Sequence, residues 1–395
     1  MTRLSVIIPT ADRQDYAAPV VSAIRAVCPH AEIVVSDTSS DASLAVLLAD
    51  EIAAGTVVYL RPGVGIDVVS NFEAARQAAT GDYLMFLGDD DCVGPGIMAV
   101  VEWAAANAVE AVVSYTDYFL ASYFWPGVTS RYFGDRISGA LFIKPFTGAV
   151  SIIDPRSALK DALARFGSGL GAMPRAYHGL VSRALADRIA ARHGRLFGGV
   201  SPDIFSATLI AMNARTVARV DWPFCIPGGS PRSTAGLGAA QTDRSVLWTN
   251  PHIAPFKGLV WDPLIPEFYS PTTVWAFSFK AATDLFPGIG LAPNLDRLYA
   301  HSLVFNRRYF NAVMAAWRRS AVPRGWFAAI TGLAGALTAV GATLAAKVAG
   351  RVGNFRPGGR NTTALADLPD IAAAYSALEH HIAASGLTLQ LDPLS

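Results

Sequence analysis

The residues with the clearest chemical potential are carboxylates that follow apolar runs. Asp89, Asp90 and Asp91 stand directly after YLMFLG, Asp37 follows EIVVS, and Asp12 follows LSVIIPTA. Three adjacent aspartates are costly unless something neutralises them, because like charges raise one another's pKa and burial adds to the effect. A bound divalent cation removes that cost. In an extended chain Asp89 and Asp91 point one way and Asp90 the other. Oxygen-only ligation suits Mg2+ or Mn2+, which pair one or two carboxylates with substrate phosphates. A solvated acidic turn or helix cap before Pro95 is the competing reading. Asp37 reads as an acceptor for a nucleobase or ribose, or as a turn residue leading into a helix. The lone GVG at Gly63 is no dinucleotide fingerprint, and no GxxxxGK[ST], GxSxG or HExxH is present.

These carboxylates need strands to hold them. Apolar runs at Leu4 to Ile8, Glu32 to Ser36, Thr56 to Leu60, Tyr83 to Leu87 and Ala111 to Tyr115 alternate with helix-length segments from about Asp15, Asp41, Val68 and Pro95. Asp15 and Asp41 suit N-caps and Pro95 a first turn. Near-continuous apolar runs predict strands covered on both faces, and strand–helix alternation predicts a mainly parallel α/β sheet with right-handed crossovers. In such sheets ligands bind outside the carboxyl ends of the strands, where the aspartates fall. Residues 119–173, rich in Gly, Pro and aromatics, read as loops and short strands. Helical patterning returns from Tyr177 to Ala218, and Ile226 to Gly238 reads as a mobile Gly/Pro/Ser loop.

The 395 residues suggest two or three domains. With 52% apolar and only 16% charged residues, simple disorder is excluded. Cys28, Cys92 and Cys225 lie far apart, which argues against a zinc finger or disulfide scaffold and suits a reducing compartment. The net charge of +1 hides an asymmetry: from Arg297 to Ala366 there are ten basic residues and no acidic one. Within that stretch, Trp326 to Ala346 carries no charge over 21 residues. Its large residues Trp326, Ile330, Leu333, Leu337, Val340 and Leu344 form one bulky stripe beside a small-residue face. A helix packed on the protein, one lying in a membrane interface and one spanning a bilayer all fit that pattern.

Taken together, LSVIIPTADR, EIVVSDTSSD and VSNFEAARQAATGDYLMFLGDDD, followed by YHGLVSR, GGVSPDIFSAT and PFCIPGGSPRST, resemble a family 2 glycosyltransferase with the GT-A fold. The resemblance covers about Leu4 to Ala235. It implies a Rossmann-like α/β catalytic domain over 1–235 (nucleotide-sugar half 1–115, acceptor half 116–235), which leaves a loop-rich and helical extension over 236–322 and a basic, apolar tail over 323–395. It also implies inverting transfer from a UDP-, GDP- or dTDP-sugar. By position, Pro9, Thr10 and Arg13 line the nucleotide pocket, Asp37 holds the base, and Asn71 and Arg76 border the donor. Asp89 and Asp91 hold Mg2+ or Mn2+ on the diphosphate, Asp90 sits nearer the ribose or donor sugar, and Asp203 is the general base. A helix-start carboxylate after Pro202 is the other account of Asp203.

His178 is a candidate for the acceptor side, His252 for a third metal ligand, and Arg232 for a loop cation closing over the diphosphate. For each, an ordinary packed or solvated role competes. Tyr115, Tyr118, Tyr123, Phe124 and Trp125 offer either sugar stacking or core packing. The basic, apolar region 297–366 suits an anionic membrane or a lipid-phosphate carrier, so a cytoplasmic enzyme at the inner membrane face, acting on a glycan or lipid-linked acceptor, is expected. No nucleic-acid recognition motif accompanies the charge. A sugar-phosphate nucleotidyltransferase and a non-catalytic nucleotide-binding subunit are the alternatives.

Overall fold

A computed structural model describes residues 2–114, 119–233, 236–237, 246–288, 290–351, 357, 359 and 361–394. In chain order its strands are β1 (Leu4–Thr10), β2 (Glu32–Asp37), β3 (Val57–Leu60), β4 (Tyr83–Phe86), β5 (Cys92–Val93), β6 (Ala111–Val113), β7 (Ala121–Phe124), β8 (Ala140–Ile143), β9 (Val150–Ile153), β10 (Gly179–Ser182), β11 (Val217–Val220), β12 (Cys225–Ile226), β13 (Gly228–Gly229) and β14 (Thr363–Leu365). The main sheet runs β3-β2-β1-β4-β10-β6-β11-β9. All pairings among β3, β2, β1 and β4, and that of β6 with β11, are parallel; β10 and β9 run against their neighbours. The α/β class and strands β1, β2, β3, β4 and β6 are those expected from the sequence; the short β5 is not.

Alternation along β1 explains its continuous apolar run. Leu4, Val6 and Ile8 pack on one face with Val20, Val21 and Ile24 of helix Gln14–Val27. Ile7 and Val34 pack on the other with Phe72 and Ala75 of helix Val68–Ala78 and with Leu209 and Ile210 of helix Pro202–Asn213. Pro9 is tolerated inside this central strand for a geometric reason. Residues of its parity face β4, and β4 ends at Phe86, opposite Ile7. Helix starts differ in detail: Arg13, not Asp15, is the N-cap of the first helix; Ala42, not Asp41, is that of helix Ser43–Leu47, although Asp41 accepts from the Ser43 N–H; Pro95 precedes the Gly96 N-cap of helix Ile97–Ala106; and Asp67 caps helix Val68–Ala78 by accepting from the Ser70 N–H.

Residues 119–143 supply the two middle strands of a second sheet, β13-β7-β8-β14, whose first strand comes from Gly228–Gly229 and whose last comes from Thr363–Leu365. Helix Ile371–Ser385 packs Ile371, Ala374 and Leu378 into the same core as Val20 and Ile24. The end of the chain therefore returns to the N-terminal α/β body. A separate helical core joins Leu159, Phe166, Ile204, Phe279, Tyr299 and Trp317.

Helix Trp326–Arg351 lies against helix Leu295–Phe305. Its bulky stripe is split. Ala329 and Val340 are buried and Leu333 and Leu344 half-buried, while Trp326, Phe327, Ile330 and Leu337 are exposed. The split follows the small residues: a side chain at Gly332 would collide with Asp296, which forms a two-pronged ion pair with Arg324 at 2.8 and 2.9 Å. The close-packed face is therefore the one carrying Gly332. Trp326–Ala346 is long and apolar enough to cross a membrane by length and composition.

Candidate active site

The rim formed by the ends of β1, β2 and β4 collects the aspartates. Asp37 is wholly buried; it accepts from the Ser39 N–H at 2.8 Å and from the Tyr59 hydroxyl at 2.5 Å. Burial, with Asp37 beside it, raises the Tyr59 phenol far above its ordinary pKa, so it stays a donor. Asp12, at φ 54°, accepts from the Ser40 N–H and hydroxyl and so ties the loops after β1 and β2 together. Asn71 lies beneath: its carbonyl accepts from the Ser36 hydroxyl and its amide donates to the Ser36 carbonyl. It braces the strand ends.

The three adjacent aspartates adopt a turn, not an extended chain. The Asp91 N–H donates to the Gly88 carbonyl at 3.2 Å, and this reverses the expected grouping. Asp89 and Asp90 share Arg13, at 3.1 and 2.8 Å, and Asp91 faces away from it. Thr10 donates to Asp89 at 2.6 Å, while the Ser230 N–H donates to Asp90 at 2.9 Å and the Ser230 hydroxyl bonds Arg13 at 2.5 Å. Asp91 accepts from the N–H groups of Gly88 (2.5 Å) and Gly228 (2.6 Å), contacts His178 Nε2 at 2.5 Å and accepts from the Tyr177 hydroxyl at 3.2 Å.

The two ends of the triplet therefore differ electrically. Burial pushes the Asp89 carboxyl up to about 7; Arg13 offsets this in part, and Asp90 and Asp91 add to it. At Asp91 burial opposes the charge too, but His178 and the two glycine N–H groups outweigh it and hold the carboxyl below the usual range.

His178 reaches Asp91 through an unusual backbone. It has φ 60°, and its N–H donates to the Phe86 carbonyl at the end of β4. Tyr177 sits among Asp91, Asp90, Asp203 and Asp89; burial and those charges raise its phenol well above its ordinary pKa. Asp203 lies in the first turn of helix Pro202–Asn213, half-buried, with the Ser201 hydroxyl donating to it.

Three expected residues stand elsewhere. Arg76 pairs with Glu73 at 2.7 Å and Asp187 at 2.9 Å. His252 Nε2 meets the Val200 carbonyl at 2.6 Å, beside the loop that leads to Asp203 rather than at the triplet. Arg232 reaches Asp15 at 3.7 Å on the surface, and it is Ser230 of the same loop that meets Asp90. Tyr123 and Trp125 are buried in the core, Phe124 lines a cavity, and Tyr115 and Tyr118 lie outside the described residues.

Sequence reasoning passed over Tyr59, Tyr177, Ser230 and Gly228. The signal for the last two was the GGS tripeptide. A side chain at Gly228 would overlap the Asp90 carbonyl, so only glycine lets that backbone close over the triplet.

The residues fit a divalent cation on a diphosphate chemically. The donors are all oxygen, the cluster carries surplus negative charge, and Asp89 is the under-neutralised member. Among the described residues, the buried Arg13 Nε has no hydrogen-bond partner, a donor suited to a phosphate oxygen. Among them too, no three His, Cys, Asp or Glu side chains stand together as a ready cage. Substrate oxygens and water would have to complete the shell.

Residues 5–154 match the family model described as Glycosyl transferase family 2. The matched segment contains β1 to β9 and the aspartate triplet, so the expected resemblance holds there; His178 and Asp203 lie beyond it. No match is found among curated proteins. Among solved structures, S. aureus TarS shares 11% identity at a TM-score of 0.41, with 85% of this chain covered. The chain spans about half of TarS, 54% of its length. TarS 1-349 in complex with UDP-GlcNAc gives 11% identity and a TM-score of 0.43, covering 90% of this chain and 93% of that one. The mannosyltransferase PcManGT from Pyrobaculum calidifontis, in complex with GDP-Man and Mn2+, gives 15% identity and a TM-score of 0.39, covering 98% and 88%.

Proposed function

We propose that the chain is an inverting glycosyltransferase that moves a sugar from a nucleotide-sugar to a glycan or lipid-linked acceptor. The observation that carries this is the shared rim: Asp37 at the end of β2 and the Arg13–Asp89–Asp90–Ser230 cluster at the ends of β1 and β4. A carboxylate acceptor and a polar cluster suited to a diphosphate thus stand at neighbouring strand ends of one rim. Asp37 accepts from the base or ribose, as its two existing partners leave lone pairs. Arg13 and the Ser230 loop hold the diphosphate.

Asp89 would hold Mg2+ or Mn2+ there, which when bound would stabilise negative charge on the leaving diphosphate; Asp91, expected as its partner ligand, has both oxygens engaged by Gly88, Gly228, His178 and Tyr177 instead. The acceptor hydroxyl oxygen attacks the anomeric carbon in line as the bond to the diphosphate oxygen breaks. Its proton passes to Asp203, and the single displacement inverts the centre. Tyr177 and His178 fix Asp91 and border the acceptor side. The donor is a UDP-, GDP- or dTDP-sugar.

The exposed side chains of Trp326, Phe327 and Ile330, in a region rich in arginine, support peripheral attachment to the cytoplasmic face of an anionic membrane. The decisive assay incubates the full chain with a panel of nucleotide-sugars, candidate acceptors and Mn2+, and measures released nucleoside diphosphate. Asp203→Asn should abolish turnover and retain donor binding. Release of pyrophosphate instead would overturn glycosyl transfer in favour of nucleotidyl transfer.

A further inference from the structure

The segment that leads into Asp203 is gripped by a helix from much later in the chain. One oxygen, the Ser278 hydroxyl of helix Pro271–Thr283, accepts two consecutive backbone donors: the Val200 N–H at 3.0 Å and the Ser201 N–H at 2.8 Å. Ser278 is wholly buried. The Val200 carbonyl, which lies between those donors along the backbone, meets His252 Nε2 at 2.6 Å. Gly199 permits the close approach. It has φ 64°, and a side chain there would stand 2.7 Å from the Ser278 oxygen and 2.8 Å from its Cα. Val200 and Ile204 pack with Phe277 and Phe279 in the helical core, so apolar contact backs the polar grip.

The hydrogen bonds continue to the carboxylate. Ser201 is the N-cap of helix Pro202–Asn213. A serine there ordinarily turns its hydroxyl back to an N–H of the first helical turn. Ser201 makes no such cap; its hydroxyl donates to Asp203 Oδ1 instead. A helix start built only for its own stability would keep that hydroxyl on the helix N–H groups. The carboxylate held in this way is near enough for its charge to act on the Tyr177 phenol, the donor to Asp91.

We propose, resting on the reading of Asp203 as the general base, that Ser278 and Ser201 are its positioning residues: Ser278 fixes the backbone of residues 199–201, and Ser201 fixes the carboxylate. Helix Pro271–Thr283 then belongs to the catalytic centre, although it lies well beyond residues 5–154, which match the family model. A base must stand within about 2.6–3.2 Å of the hydroxyl it deprotonates, and a 1 Å misplacement can cost about a hundredfold in rate. Without the Ser278 oxygen two buried N–H groups lose their acceptor, and residues 199–201 shift to find another. Without the Ser201 hydroxyl the Asp203 side chain is free to leave its rotamer.

The test gives the full chain Mn2+ and a panel of UDP-, GDP- and dTDP-sugars with water as the acceptor, and follows nucleoside diphosphate release. The water oxygen attacks the anomeric carbon, the bond to the diphosphate oxygen breaks, and one water proton passes to Asp203. Rates are taken per nucleotide-binding site counted by calorimetric titration, so unfolded protein does not enter. Ser278→Ala and Ser201→Ala should each lower kcat about ten- to hundredfold and leave donor KM unchanged, and Ser201→Thr, which keeps the hydroxyl, should restore most of the rate. Thr273→Val is the control: it deletes another buried hydroxyl of the same helix, one that donates to the Phe268 carbonyl at 2.6 Å, and should lower stability with kcat per site unchanged. Wild-type kcat in either serine variant, with Asp203→Asn inactive, would overturn the positioning and leave the base in place. A loss in Thr273→Val as large as in Ser278→Ala would overturn it too, in favour of helix packing. Should Ser278→Ala bind no nucleotide, Ser201→Ala decides alone. Undiminished turnover by Asp203→Asn would instead sink the general base, and no turnover by the wild type would sink glycosyl transfer; the positioning falls with either.

Discussion

Replacing Asp91 and Asp89 should separate two roles within one triplet. Asp91 is 1% exposed and takes contacts from the N–H groups of Gly88 and Gly228, from His178 and from Tyr177. Asp91→Ala strands two buried N–H donors at ~1–3 kcal/mol each and breaks a buried polar pair, for which ~3–5 kcal/mol is typical. The contributions overlap, so a net loss of about 3–5 kcal/mol is expected, a large part of the ~5–15 kcal/mol that holds a domain together. Asp89 behaves oppositely. Burial pushes its carboxyl up to about 7, so its charge favours the fold less, and the near-isosteric Asp89→Asn should cost less stability than Asp91→Ala while turnover falls. Equilibrium urea unfolding followed by tryptophan fluorescence, beside nucleotide-sugar turnover, reads both. If Asp91→Ala unfolds at the same urea concentration as Asp89→Asn, the assignment of Asp91 as the buried fastener of the Gly228 loop is wrong.

Further outcomes can be measured separately. Glu32 is partly buried, which raises its pKa, but donors from Ser5 and Thr80 outweigh this and lower it. Its stabilisation is therefore full above the unfolded value of about 4.3 and lost as pH falls through the lower folded value. Glu32→Gln should flatten that acid limb in pH-dependent unfolding, and an unchanged limb would refute the linkage. Phe327→Asp with Ile330→Asp should reduce co-sedimentation with anionic phospholipid vesicles several-fold and spare soluble turnover; equal co-sedimentation would refute surface attachment. Truncation after Pro323 is the wrong probe, because it also removes Ile371, Ala374 and Leu378 from the main core. Tyr59→Phe should weaken nucleotide binding a fewfold by freeing Asp37 from its phenol partner, read by titration with UDP and GDP.

Much of this was legible in the residues. Runs such as LSVII and YLMFL could only be strands buried on both sides, and carboxylates directly after them had to fall on one rim, because parallel strands end together. Spacing alone therefore located Asp37 and Asp89 to Asp91. What each carboxylate touches depended on contacts distant in sequence. The turn at Gly88 sends Asp91 to His178 and Gly228, 87 and 137 residues away, and leaves Asp89 and Asp90 to Arg13. Helical period likewise marked Trp326–Ala346 as one-sided, yet the face it buries was settled by Gly332 against Asp296. The return of β14 and helix Ile371–Ser385 to the N-terminal body had no local signal, since pairing across more than two hundred residues leaves no periodicity in either partner. Local pattern thus determined the strands and the rim, and only tertiary packing decided which partner each charge on that rim would keep.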